Sequence, residues 1–93
     1  MNIIYNPQKT SSKYKKVSEK SFTINELKDI VEGEVSVMYL PKENAYIVYN
    51  KVYSTKRINS FNKDATDILR NNYSDSKVKI YGKALLTDEI WAE

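Results

Sequence analysis

Hydrophobic positions change their spacing several times along this chain, and each change predicts an element. Asn2–Tyr5 is a short β-prone run that ends at the turn-forming pair Asn6-Pro7. Lys9–Ser12 reads as loop and Lys13–Ser18 as a second strand, giving an edge hairpin whose lysines discourage strand-on-strand aggregation. Thr23-Ile24-Asn25-Glu26 then has the spacing of a capping box, and Phe22 and Leu27 have that of a hydrophobic staple. Ile24, Leu27, Ile30 and Val31 recur at helical spacing, and Gly33 stops the helix as a left-handed C-cap.

Glu34–Leu40 and Ala45–Tyr49 read as strands joined by the turn Pro41-Lys42-Glu43-Asn44. Val35, Val37 and Tyr39 share a face, and Tyr39 and Tyr49 fit inward positions. Met38, Leu40, Tyr46 and Val48 make these strands apolar on both sides in places. That pattern suits central strands, or a second face covered by a helix or a partner. Lys51–Ser60 is polar and irregular, with a short strand around Val52-Tyr53. Asn62 caps a second helix, Lys63–Asn71, whose stripe is Ala65, Ile68 and Leu69. Lys77–Leu85 alternates as a strand, and Thr87–Glu93 starts a last helical turn with Ile90 and Trp91 as a docking pair. The expected fold is a small α+β domain over residues 1–93. It has a mostly antiparallel sheet of about five strands, two helices on one face, and the order β-β-α-β-β-α-β.

Charge adds an asymmetry. Residues 1–20, a basic hairpin or arm, carry five Lys and one Glu, for +4; the other 73 of the 93 residues carry ten basic and eleven acidic side chains, for −1. The sum is the +3 of the whole chain, which argues against mimicry of a nucleic acid by acidic side chains. The chain has no Cys and no His. This excludes a disulfide scaffold, thiol catalysis and a Cys-ligated zinc site, and it removes the commonest general base. Two glycines are too few for a phosphate-cradling Gly-rich loop. Asp64 and Asp67 lie one turn apart, but the first turn of a helix accounts for both. No apolar run approaches the roughly 18–20 residues that span a bilayer. The expected protein is cytoplasmic, non-enzymatic and free of cofactor, metal and membrane.

The candidate binding residues follow from the alternation. Lys77, Lys79, Tyr81 and Lys83 would project from one side of a strand, repeating roughly every 6.6–6.8 Å. Ammonium heads attract phosphates and a phenol stacks on a base, so the combination suits a nucleotide or a single strand. Lys56 and Arg57, with Tyr53 beside them, add a second basic group in the irregular stretch, where a guanidinium is the better bidentate phosphate clamp. A solvated sheet face accounts for the same lysines without any ligand. A homodimer with its sites between protomers would enlarge so small a pocket.

Leu27-Lys28-Asp29-Ile30-Val31-Glu32-Gly33-Glu34-Val35, Ile47-Val48-Tyr49-Asn50, Asn62-Lys63-Asp64-Ala65-Thr66 and Ile80-Tyr81-Gly82-Lys83-Ala84 together carry a resemblance over about residues 1–86. The pattern resembles the domain-of-unknown-function family numbered 3846, small proteins of phages, plasmids and low-GC bacteria. The chain departs from it in its Lys-rich residues 9–20 and in the long Lys51–Ser60 stretch. The resemblance implies a mobile-element accessory protein of the anti-defence kind and carries over no catalytic residue. With the basic clusters, it leads to an expected function of binding and sequestering a phosphorylated, nucleotide-type signalling ligand. Two alternatives stay open. One is a protein-binding inhibitor of a host defence nuclease or CRISPR-type complex, anchored by exposed tyrosines. The other is a nucleic-acid-binding accessory protein.

Overall fold

The computed structural model describes residues 2–7, 11–13, 22–51 and 61–88. They form β1 (Asn2–Tyr5), β2 (Ser11–Lys13), α1 (Ile24–Val31), β3 (Val35–Leu40), β4 (Ala45–Asn50), α2 (Lys63–Asn72) and β5 (Ala84–Thr87). The five strands make one antiparallel sheet in the order β2-β1-β5-β4-β3. This is the expected α+β class in the expected element order. Among the described residues no helix is long and apolar enough to cross a membrane.

Local chemistry sets the ends of α1. The Thr23 hydroxyl accepts from Glu26 N at 3.1 Å, and Glu26 Oε1 accepts from Thr23 N at 3.0 Å, so the capping box forms. Phe22 and Leu27 are both fully buried in the cluster beneath the helix. The left-handed residue at the other end is Glu32, at φ 61°, rather than the expected Gly33. Gly33 is required for space instead: a Cβ there would stand 2.6 Å from Asn50 Nδ2. That amide donates to Val31 O at 3.0 Å and Glu32 O at 3.3 Å, satisfying carbonyls that a helix end leaves open.

The two helices lie on opposite faces of the sheet, which corrects the expectation of one shared face. Phe22, Leu27, Ile30 and Val31 pack with Val48 and Leu85. Ala65 and Leu69 of α2 pack with Leu40, Ala45, Ile47, Tyr49, Ala84 and Leu86. Neighbours along a strand point to opposite sides, so Val48 and Leu85 belong to the α1 side and Ile47 and Leu86 to the α2 side. Central strands that are apolar on both faces need a cover on each.

Three boundaries also move. Among the described residues the expected strand Lys77–Leu85 pairs in a ladder only from Ala84 onward; upstream there is a single bridge, Tyr81 to Phe61. Thr87 closes β5, fully buried, rather than opening a helical turn. β2 lies at Ser11–Lys13, so Ser11 and Ser12 are strand where a loop was expected; of the expected strand Lys13–Ser18, residues 14–18 fall outside the described residues. The remainder of the basic arm, the short strand at Val52-Tyr53 and the Ile90-Trp91 pair also fall outside them.

Candidate functional site

Residues 77–83 alternate in burial without a strand ladder among the described residues to hold them. The first turn of α2 does the holding. Ile80 N donates to Thr66 Oγ1 at 2.9 Å, and Ile80 O accepts from Asn62 N at 2.8 Å. Asn62, fully buried, donates through Nδ2 to Tyr5 O and to Gly82 O, each at 2.8 Å, while its Oδ1 accepts from Ala65 N at 3.1 Å. One side chain thus caps α2 and ties it to β1 and to the segment that enters β5. Gly82 takes φ 74°, the left-handed region that a residue without a Cβ enters freely.

With the backbone fixed this way, Val78 and Ile80 join the cluster on the α2 side, and Lys77, Lys79 and Lys83 are exposed. None of the three lysines is in an ion pair among the described residues. Tyr81, expected to project with the lysines, is less exposed than they are. It is half-buried, and its ring meets Phe61 edge-on at a centroid distance of 5.6 Å and an angle of 64°. Phe61 was not among the expected site residues, because a lone aromatic before a helix cap carries no signal of its own. Tyr53, Lys56 and Arg57 lie outside the described residues.

A hollow opens on the other side of the sheet, with none of those lysines in its wall. It has a volume of about 410 Å³ and is lined by Tyr39, Asn44, Tyr46 and Asp88. The α1-side strand row past the end of the helix runs Tyr39, Tyr46, Thr87, Asn2 across β3, β4, β5 and β1. Tyr39 and Tyr46 sit 5.2 Å apart between ring centroids, tilted by 58°. The Tyr39 hydroxyl donates to Asn44 Oδ1 at 2.8 Å, and Thr87 Oγ1 donates to Asn2 Oδ1 at 2.7 Å. Tyr39 is 42% exposed, against its expected inward position. The cluster under α1 takes in Val37 and Val48 one row away but neither Tyr39 nor Tyr46, so the helix leaves this row uncovered. Phenols and an amide suit a hydrogen-bonding group better than a phosphate.

Tyr5 faces the opposite side, where burial and then the carboxylates of Asp64 and Glu43 push its phenol above the ordinary tyrosine value. The acidic pair Asp64/Asp67 has a structural use, as Asp67 accepts from Lys63 Nζ at 2.6 Å one turn away. No group of three metal-ligating side chains occurs among the described residues.

The residues that carried the family resemblance meet in the two polar joints of the fold. Gly33 and Asn50 close the end of α1, and Asn62, Thr66 and Gly82 join α2 to the sheet. What those motifs encode here is architecture. Compared with known proteins, the chain matches no family model, no curated protein and no solved structure.

Proposed function

We propose that this chain is a non-catalytic binding module that captures a phosphate-bearing, nucleotide-type ligand along the outer side of residues 77–83, as a phage or mobile-element protein acting against a host defence. The observation that carries the reading is the row Lys77, Lys79, Lys83: three exposed ammonium groups without ion pairs, on a backbone that Asn62 and Thr66 hold in place. Extended backbone repeats roughly every 6.6–6.8 Å on one side, which spaces Lys77 from Lys79, and the left-handed Gly82 bends the chain before Lys83, so the heads are strung along the segment rather than gathered in a ring. A line of cations favours an extended polyanion or a ligand with several phosphates over one enclosed phosphate. Absent His and Cys, and with no recognisable nucleophile–base pairing, the chain is read as a binder and not an enzyme.

Calorimetry against a cyclic dinucleotide and a single-stranded oligonucleotide, each at low and high salt, tests this. Binding that weakens with salt and is lost in the triple variant Lys77→Ala, Lys79→Ala, Lys83→Ala is the expected result. No heat from either probe at low salt would end the proposal. The exposed Tyr39, beside Tyr46 and the hollow that Asp88 borders, favours a second reading: a contact with a host defence protein on the opposite side of the sheet. In that case Tyr39→Ala with Tyr46→Ala removes a stoichiometric partner from host lysate, and the lysine triple variant does not.

A further inference from the structure

Among the described residues no strand pairs with the outer edge of β3, and the hydrogen-bonding groups of that edge can be assigned. Lys51 N donates to Glu34 O at 2.8 Å, in the same register as the β3–β4 ladder. Hydrogen-bonded pairs alternate with non-bonded ones in an antiparallel ladder. The bonded pairs are therefore Glu34/Lys51, Ser36/Tyr49, Met38/Ile47 and Leu40/Ala45, and Val35, Val37 and Tyr39 direct their backbone groups away from the sheet. An independent contact agrees: the Tyr73 hydroxyl reaches Tyr39 O from outside the strand at 2.5 Å. Tyr39 O is thus capped, while the N–H and C=O of Val35 and Val37 have no partner among the described residues.

We propose that a second copy of this chain occupies this edge, β3 against β3, antiparallel about a two-fold axis through Ser36, to make one continuous sheet across two protomers. In that register Val35 faces the partner's Val37 and Val37 faces the partner's Val35. Four N–H···O bonds form, using only the uncapped groups. A neighbouring two-fold register, Val37 on the partner's Val37, would place Val35 against Tyr39, whose carbonyl the Tyr73 hydroxyl already engages from that side, and is the poorer match. The two-fold register about Ser36 suits itself in two further ways. Beyond the pairing, Tyr39 and its Tyr73 cap meet the partner's Gly33, which has no side chain to collide with them. No like charges come opposite each other either, because β3 carries no charged residue and Glu34 faces the partner's Met38. An uncharged strand matches an uncharged strand, whereas β2 at the other edge ends in Lys13. The contact is isologous and closes as a dimer.

Light scattering after size-exclusion over a concentration series reaching the millimolar range tests the pairing. The expected mass approaches twice the 10.8 kDa of one chain as concentration rises. Val37→Pro removes an outward N–H that the β3–β4 ladder does not use, so the mass returns to one chain with the fold retained by circular dichroism. Ser36→Lys sets two ammonium groups at the axis and gives the same result without touching the backbone; Ser36→Glu behaves likewise. Mixing Ser36→Lys with Ser36→Glu restores the double mass. A wild-type chain that stays at 10.8 kDa throughout overturns the proposal. So does a dimer that survives Ser36→Lys, or a mixture that stays monomeric.

Discussion

The two helices cover the same sheet from opposite sides and are held there by different forces. α1 binds through bulk: Phe22, Leu27, Ile30 and Val31 press on Val48 and Leu85, with Asn50 as its buried polar tie. α2 brings less apolar area, Ala65 and Leu69 with half-buried Ile68, and adds a run of polar contacts. Asn62 and Thr66 fasten its start; Asn72 and Tyr73 fasten its end to the β3–β4 turn and to β3, with Lys42 N donating to Asn72 Oδ1 at 2.7 Å and Asn72 Nδ2 to Glu43. Apolar burial tolerates small shifts, whereas a buried hydrogen bond costs most when one partner is lost. α2 is thus the more exactly placed helix, and the lysine segment that depends on it inherits that placement.

The largest effect is expected where bulk dominates. Phe22→Ala empties a fully buried ring from the α1 side, and urea denaturation should show a loss of about 4 kcal/mol. Asn62→Ala comes next, at about 3 kcal/mol, because it removes a cap and leaves Tyr5 O and Gly82 O without their donor. A loss under about 1 kcal/mol there would break the contrast between the helices. Thr66→Val keeps the shape but deletes the acceptor of Ile80 N, for about 1–2 kcal/mol. Hydrogen exchange should then speed up at the Ile80 amide before it does at amides of β4. The smallest effect is alkaline. The folded chain holds the Tyr5 phenol above its ordinary value, so the unfolded chain loses that proton first as pH rises. Its contribution is fully present below pH about 10 and is lost through the raised folded value. Tyr5→Phe should flatten the fall in thermal midpoint over that alkaline range.

Sequence reading was strongest where neighbours in the chain decide the structure. The Thr23/Glu26 box, the Phe22–Leu27 staple, the Asn62 cap and the Pro41–Asn44 turn all depend on residues within a few positions of one another. The two-sided apolar character of β3 and β4 suggested two central strands, or a second face under a helix or a partner; β4 is central and β3 is at the edge of the described sheet, and nothing local assigns each helix to a face. Residues 77–83 alternate like a strand for a clear reason. Alternating burial needs only extended backbone with one side on a core, and here side chains of α2 hold that backbone instead of a neighbouring strand. Gly33 was correctly singled out but for the wrong constraint, since the crowding comes from Asn50, seventeen residues on. At the candidate site, the exposure of Lys77, Lys79 and Lys83 was legible from the alternation. Tyr81 turning to Phe61, and Tyr39 standing outside the cluster under α1, both depend on tertiary distances.

The position of β5 has a consequence for synthesis. It sits between β1 and β4 and is the only described strand that joins the β1–β2 hairpin to the β3–β4 hairpin. A ribosome makes both hairpins before residues 84–87 emerge, so the nascent chain carries two half-sheets with unmatched edges until that late strand inserts. Acquisition of the native state during translation should therefore come as one late step, and arrest of synthesis before Ala84 should leave a species that chaperones and proteases recognise.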